Sequence, residues 1–122
     1  MSWHATLYQE FGPELWDGRY THNTNGMVNA VLDENYEQVS VFEEVFTKRE
    51  GWTPWWKRLN GMDGPTSHIY LTQIIKGLES DPEKFRAMNP DNGWGSYAGL
   101  LKQLRAMRNA IPEARVRWET SG

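Results

Sequence analysis

Apolar and polar residues alternate at the start of the chain. Over residues 3–11 the two kinds fall on opposite sides, a period of two that predicts a half-buried strand. The apolar positions are Trp3, Ala5, Leu7 and Phe11. Gly12-Pro13 interrupts the alternation, and a second extended stretch follows over residues 14–23. Because Asp17-Gly18 inside that stretch is a strong hairpin signal, we predict two or three short antiparallel strands.

The spacing of apolar residues becomes helical after residue 23. Thr24 or Asn25 is the predicted N-cap of a first helix. Its apolar positions are Val28, Val31 and Leu32. A further helical stretch is predicted at the apolar positions Val39, Phe42, Val45 and Phe46, either as a second helix or as a continuation of the first through Asn35-Tyr36. The irregular segment 51–67 contains several glycines and prolines and predicts a loop, after which helical spacing returns at Ile69.

Two further helices and a strand are predicted toward the end of the chain. Residues 80–83 combine a cap residue, an early proline and an acidic side chain, which indicates the start of a short helix that stops at Asn89-Pro90. The last helix is the most regular element. Its apolar stripe consists of Tyr97, Leu100, Leu101, Leu104, Met107 and Ile111. Pro112 ends it, and the alternation over residues 114–119 predicts a final strand.

A final strand needs a partner, and the N-terminal strands form the only other predicted sheet. We therefore predict an α+β fold with a small, mainly antiparallel sheet from N-terminal strands and a C-terminal strand, covered by three to five helices. The length of 122 residues suits one hydrophobic core. The prediction is a single domain over residues 1–122.

Composition narrows the function classes. Cysteine is absent, which excludes disulfides, thiol catalysis and cysteine zinc sites and fits a reducing compartment. No apolar run reaches the ~20 residues needed to cross a bilayer, and we see no signal peptide. The net charge is −3, and the basic residues near the last helix are expected to form a solvated face. We expect a cytoplasmic protein, in the host cell cytoplasm if a phage encodes it, without membrane association or specific nucleic-acid binding.

Recognised catalytic patterns are missing from the sequence. It contains no nucleophile elbow and no glycine-rich phosphate loop. The three histidines, His4, His22 and His68, lack the spacing of metal ligands. We therefore expect no metal and no cofactor, and we assign no catalytic residue.

Two short stretches are candidate binding sites. Residues 21–25 join a strand to a helix, where polar side chains and free helix N–H groups converge and suit an anion or a polar ligand. Residues 89–97 bracket Trp94 with two glycines before the last helix, which suits stacking on a flat ligand. The predicted ligand-binding residues are Thr21, His22, Asn23, Asn92, Trp94 and Tyr97. The alternatives are helix capping in the first stretch and a structured turn with Trp94 in the core in the second.

Both stretches resemble the signatures of a family of small, uncharacterised bacteriophage and prophage proteins. Its members have a strand ending in Thr-His-Asn and a helix that opens at a methionine, as Thr21-His22-Asn23 and Met27 do here. They also carry Asn-Pro-x-Asn-Gly-Trp-Gly-x-Tyr, which Asn89–Tyr97 matches at every fixed position. The similarity covers roughly residues 18–119, and the chain departs from it in its N-terminal extension and in the tryptophan-rich loop 52–56. It implies a fold and a phage accessory role, and no reaction.

Three hypotheses of function follow. The first is a non-enzymatic binding module that holds a small ligand, for example a nucleotide-like one, in a pocket shared by the two stretches. The second is a protein–protein inhibitor of a host factor. Its interface anchors would be Trp52, Trp55 and Trp56. The third is a small enzyme with His22 as general acid or base, which requires a carboxylate that the sequence does not identify.

Overall fold

The computed structural model of the protein describes residues 2–34 and 54–122. In these two ranges the chain forms three strands and four α-helices. In chain order they are β1 (Ser2–Gln9), β2 (Glu14–Thr21), α1 (Asn25–Glu34), α2 (Gly64–Ser80), α3 (Pro82–Arg86), α4 (Tyr97–Asn109) and β3 (Val116–Ser121). The predicted second helical stretch around residues 39–46 lies outside the described residues, as does Trp52.

The sheet has the strand order β2-β1-β3, with both pairings antiparallel. The final strand thus pairs with the first, and the predicted α+β fold is confirmed. Along β1 the predicted alternation is also confirmed, because Trp3, Ala5 and Leu7 are fully buried in the core. The intervening His4 and Thr6 lie on the opposite face of the strand.

The turn between β1 and β2 corrects the prediction for Phe11. Strand β1 ends at Gln9, so Phe11 is not on the apolar side of a strand but in the turn, where it is 96% exposed. The Gly12 N–H donates to the Gln9 carbonyl at 2.8 Å, and the Gln9 N–H donates to the Pro13 carbonyl at 3.0 Å. These two bonds close the hairpin at the predicted break in the alternation.

The prediction of a hairpin turn at Asp17-Gly18 is wrong, because both residues lie inside β2. The Asp17 carboxylate accepts a hydrogen bond from the Thr6 hydroxyl at 2.7 Å and contacts the His4 ring nitrogen. Gly18 faces α4, where a Cβ would overlap the side-chain amide of Gln103. Cross-strand hydrogen bonds and close helix packing therefore account for a residue pair that elsewhere forms turns.

Helix α2 begins at Gly64, inside the segment predicted as a loop, rather than at Ile69. Asp63 caps the helix by accepting a hydrogen bond from the Thr66 N–H at 2.8 Å. Pro65 sits in the first turn, where a residue without an N–H removes no helical hydrogen bond. The loop prediction for this part of the chain is wrong because the same residue types also start helices.

Helices α3 and α4 form in the predicted segments, but α4 ends at Asn109, so Ile111 of the predicted stripe lies beyond the helix and is only partly buried. Asp81 accepts from the Lys84 N–H at 3.2 Å and caps α3. Ser96 accepts from the Gly99 N–H at 3.0 Å and caps α4. The buried residues of α4 are Tyr97, Leu100, Leu101, Leu104 and Met107.

Tryptophan side chains anchor the core. Trp3 of β1 and Trp55 pack edge to face, with ring centroids 5.0 Å apart. The Tyr70 hydroxyl of α2 donates to the Trp55 carbonyl at 2.8 Å, and burial raises the pKa of that hydroxyl well above its ordinary value. Trp56 is buried as well. The hypothesis that Trp55 and Trp56 are exposed interface anchors is therefore wrong.

Candidate functional site

The two stretches singled out from the sequence lie in contact at one end of the sheet. The Tyr20 hydroxyl accepts a hydrogen bond from the Ser96 N–H at 2.9 Å. The side-chain amide of Asn23 donates to the Trp94 carbonyl at 3.4 Å. The end of β2, the 3₁₀ turn that follows it (His22–Thr24) and the loop before α4 therefore form one continuous surface.

Trp94 projects from this surface and is 71% exposed. The backbone N–H of Trp94 donates to Oδ1 of Asn92 at 2.9 Å. Gly93 and Gly95 flank it with φ angles of 76° and 94°, a backbone conformation that glycine adopts at little cost. Gly95 also packs so closely that a Cβ would overlap the Thr21 methyl group. The alternative that places Trp94 in the core is wrong, although the turn around it is structured.

A hydrogen bond to Asn89 also restrains the loop that carries Trp94. Oδ1 of Asn89 accepts the Tyr97 N–H at 2.8 Å and thereby joins the two ends of the motif Asn89–Tyr97. Met88, at the C-terminal side of α3, is 39% exposed and lies next to Gly26 in the first turn of α1. We call the three residues Asn23, Asn92 and Trp94 the Trp94 surface.

Tyr97 does not contribute its ring to this surface. It is 4% exposed, and its hydroxyl donates to the Leu78 carbonyl at 2.6 Å. Its ring stacks on Phe85, with centroids 6.2 Å apart. The motif ends in a core residue, so Tyr97 is not available as a wall of the predicted shared pocket.

Thr21 has a capping role. Its Oγ1 accepts from the Asn23 N–H at 3.2 Å, and its carbonyl accepts from the Thr24 hydroxyl at 3.2 Å. Thr24 is fully buried and precedes α1, which starts at Asn25. The capping alternative is thus confirmed for Thr21, while Asn23 additionally reaches across to the loop of Trp94.

His22 lies beside the Trp94 surface and is oriented by an amide. Nδ2 of Asn25 and Nδ1 of His22 are 2.8 Å apart, and Oδ1 of Asn25 accepts the Trp55 indole N–H at 3.0 Å. Because an indole N–H can only donate, the Asn25 atom that faces Trp55 is the amide oxygen. The amide nitrogen of Asn25 therefore faces His22 and donates to it. Nδ1 is then an acceptor, and Nε2 carries the proton.

This tautomer bears on the enzyme hypothesis. A general base needs a ring nitrogen whose lone pair faces the substrate, and the lone pair of Nδ1 is engaged by Asn25. The group that orients His22 is an amide, not the carboxylate that the hypothesis requires. The His22 ring also packs against Trp56, with centroids 5.8 Å apart. Nε2–H can donate a hydrogen bond, which suits binding better than base catalysis.

No family model, curated protein or solved structure matches this chain. The resemblance to small phage proteins therefore stays a prediction that rests on the two motifs alone. The structure shows how the two motifs are related in space. The Thr-His-Asn and Asn-Gly-Trp-Gly segments are the two halves of one surface, joined by the hydrogen bond from Asn23 to Trp94.

Two features of the structure were not predicted. A cleft of about 940 Å³ opens at the other end of the sheet, next to the β1–β2 turn. It is lined by Glu10, Asp63, Gly64, Pro65, His68 and residues 111–116. The second feature is the exposed Phe11 beside it. Residues of three distant segments form this cleft, so no local pattern in the sequence could indicate it.

Among residues 2–34 and 54–122, no group of three or more histidine, aspartate or glutamate side chains could hold a metal ion. Within the same ranges, no helix has the length and apolar character to cross a membrane.

Proposed function

We propose that the protein is a non-enzymatic binding module that anchors a partner protein through Trp94. The observation that carries the proposal is an indole that is 71% exposed on a loop whose backbone is hydrogen-bonded. A large apolar side chain exposed to this extent contributes little to folding. Tryptophan, with tyrosine and arginine, is enriched among binding hot spots, which cluster in well-packed pockets of the interface.

The restrained backbone supports a binding role. The side chain of Asn92 accepts a hydrogen bond from the backbone N–H of Trp94, and the side chain of Asn23 donates one to the Trp94 carbonyl. A side chain presented by an ordered loop loses less conformational entropy on binding than one on a mobile loop. The polar amides of Asn23 and Asn92 next to the indole correspond to the polar rim that surrounds an apolar anchor in many interfaces.

A protein partner agrees better with this geometry than a ligand in a deep pocket. Drug-sized ligands typically bury 70–90% or more of their surface in a concave site. Here Tyr97, expected as one wall of such a site, is in the core. A projecting indole suits insertion into a pocket of another protein. The phage-protein resemblance adds a host protein as the class of partner.

Photo-crosslinking at position 94 tests the proposal. A photoreactive phenylalanine analogue replaces Trp94 in one sample and the exposed Ile69 in a matched control, and each is irradiated in host lysate. We expect a protein adduct at position 94 that is absent at position 69. The purified partner should then bind Trp94→Ala at least ~30-fold more weakly than the wild type, the effect of a hot-spot residue. Equal binding by Trp94→Ala refutes the proposal.

A flat small ligand stacked on Trp94 is the second candidate. It is favoured by the amides beside the indole, because Asn23 has an acceptor Oδ1 and Asn92 a donor Nδ2 in addition to the atoms that hold the loop. Such a pair suits the edge of a nucleobase. Quenching of tryptophan fluorescence by nucleotides that is lost in Asn23→Ala and Asn92→Ala would favour this candidate over a protein partner.

A further inference from the structure

The β1–β2 turn carries an exposed aromatic side chain in an unfavourable backbone conformation. Phe11 has a φ of 59°, and among the described residues it is the one non-glycine residue with a positive φ. It is also 96% exposed, more than any other large apolar side chain described. A bulky residue with positive φ is an outlier that costs free energy, and such strain concentrates at functional sites.

The sequence of the turn makes this placement more unusual. The Gly12 N–H donates to the Gln9 carbonyl, so Phe11 occupies the third position of a four-residue turn. That position requires a positive φ in a type II turn and is normally filled by glycine or asparagine. Here glycine is next in the chain, and phenylalanine occupies the strained position. Neither local geometry nor core packing explains why Phe11 is there.

The cleft of about 940 Å³ lies directly beside this turn, since Glu10 lines it. Five of its eleven lining residues are apolar: Pro65, Ile111, Pro112, Ala114 and Val116. Asp63, His68 and Gly64 line it with them. Its rim carries charges of both signs. Arg115 is 91% exposed, and one of its guanidinium nitrogens lies 3.9 Å from a carboxylate oxygen of Glu10. Glu113 is exposed nearby along the same wall.

We propose that the β1–β2 turn and this cleft form a self-association surface, in which Phe11 of each copy enters the cleft of the other. A twofold dimer uses the same patch on both copies, so the patch must be complementary to itself. An apolar projection beside a cleft with apolar side chains in its wall satisfies that condition. The rim also offers one pair of opposite charges, because Arg115 of one copy can face Glu113 of the other.

This surface is separate from the Trp94 surface. The Trp94 loop contacts the Thr21 end of β2, whereas Phe11 lies at the Glu14 end. The paired residues between these ends span roughly 20 Å at the rise of an extended strand. A dimer formed through Phe11 therefore leaves both copies of Trp94 accessible and makes the protein bivalent toward the partner.

Analytical ultracentrifugation of the full chain tests the proposal. The wild type should show a monomer–dimer equilibrium between micromolar and millimolar concentration. Phe11→Gly should weaken the dimer at least ~10-fold, as expected for loss of a central aromatic anchor. Because glycine relieves the positive φ, Tm of the dilute, monomeric variant should rise by roughly 2–5 °C. A wild type that stays monomeric at every concentration overturns the proposal.

A charge exchange supplies a second readout. Glu113→Arg alone and Arg115→Glu alone should each weaken the dimer, and the double exchange should restore it, because the two positions face each other across the twofold axis. A dimer that is unaffected by Phe11→Gly and by both charge variants also overturns the proposal. Trp94→Ala serves as the control. It should dimerise like the wild type, so failure of the Trp94 proposal and failure of this one give different results.

Discussion

Asn25 orients His22 through a hydrogen bond of 2.8 Å to Nδ1, and the same amide accepts the indole N–H of Trp55 at 3.0 Å. This arrangement ties the turn after β2 to the tryptophan core. It places one polar residue between the candidate binding surface and the packing that supports it.

Loss of the Asn25 amide should therefore destabilise the fold more than loss of the neighbouring Asn23 amide. In Asn25→Ala the buried indole N–H of Trp55 loses its acceptor, which costs about 1–3 kcal/mol. Asn25→Asp keeps an oxygen for that indole and should recover most of the loss. Urea denaturation measures both. Asn23→Ala, an exposed asparagine in the same turn, should stay within about 0.5 kcal/mol of the wild type. An equal effect of Asn23→Ala and Asn25→Ala would contradict the assigned role.

The two glycines around Trp94 offer a matched pair of substitutions. Both have positive φ, but Gly93 has no atom within 4 Å of a Cβ, whereas Gly95 packs on Thr21. Gly93→Ala should cost about 1 kcal/mol, the penalty of a left-handed conformation. Gly95→Ala adds the overlap with Thr21 and should cost about 1–3 kcal/mol more. Guanidinium denaturation compares them, and equal losses would show that Gly95 is not a packing position.

Helices α1 and α2 approach closely at Gly77. A Cβ at this position would overlap Cγ1 of Val31. Although alanine favours helix by about 1 kcal/mol over glycine, Gly77→Ala should destabilise the protein by overpacking, by about 1–3 kcal/mol. Val31→Ala removes the overlapping methyl groups, so the double variant should be more stable than the sum of the two single effects. A double-mutant cycle measured by urea denaturation tests this coupling. Additive effects of the two substitutions would exclude direct contact between positions 77 and 31.

We expect the Asp17 carboxyl group to make the stability of the fold sensitive to acid. Hydrogen bonds from Thr6 and then His4 hold its pKa below the ordinary value. A carboxyl group whose pKa is lower in the folded state stabilises the fold above its unfolded-state pKa, and this contribution is lost as pH falls through the folded-state value. Tm of the wild type should thus decline more steeply below about pH 4 than Tm of Asp17→Asn.

Thr6→Val supplies the control for that measurement. It removes the hydrogen bond that lowers the pKa of Asp17 most, while the strand keeps a residue of similar shape. Its decline in Tm with acid should fall between those of the wild type and Asp17→Asn. Identical slopes for all three proteins would mean that Asp17 does not couple protonation to folding.

Elements with a regular local pattern could be predicted from the sequence. The alternation in β1 and the apolar stripe of α4 depend on side chains a few positions apart, and both were confirmed. The pairing of the final strand with the N-terminal sheet could be predicted because a strand needs a partner, whereas its place beside β1 could not. In each case the sequence pattern and the tertiary packing favour the same structure.

Residues with two structural uses could not be assigned from local sequence. Asp17-Gly18 suits a turn or a strand opposite Thr6, and only the packing of α4 on Gly18 decides between them. Gly64 and Pro65 suit a loop or the first turn of a helix, and the Asp63 cap decides for the helix. The same holds for tryptophan. Trp55 and Trp94 both lie in segments without a regular apolar pattern, yet one lies in the core and the other on the surface.

The central position of β1 has a consequence for synthesis of the protein. One edge of β1 pairs with β2, which follows at once, but the other edge pairs with β3 at Val116–Ser121. During translation that second edge stays unpaired until about a hundred further residues have left the ribosome. Unpaired strand edges recruit other chains, so the nascent hairpin is the stage at which this protein is most prone to aggregate and to need a chaperone.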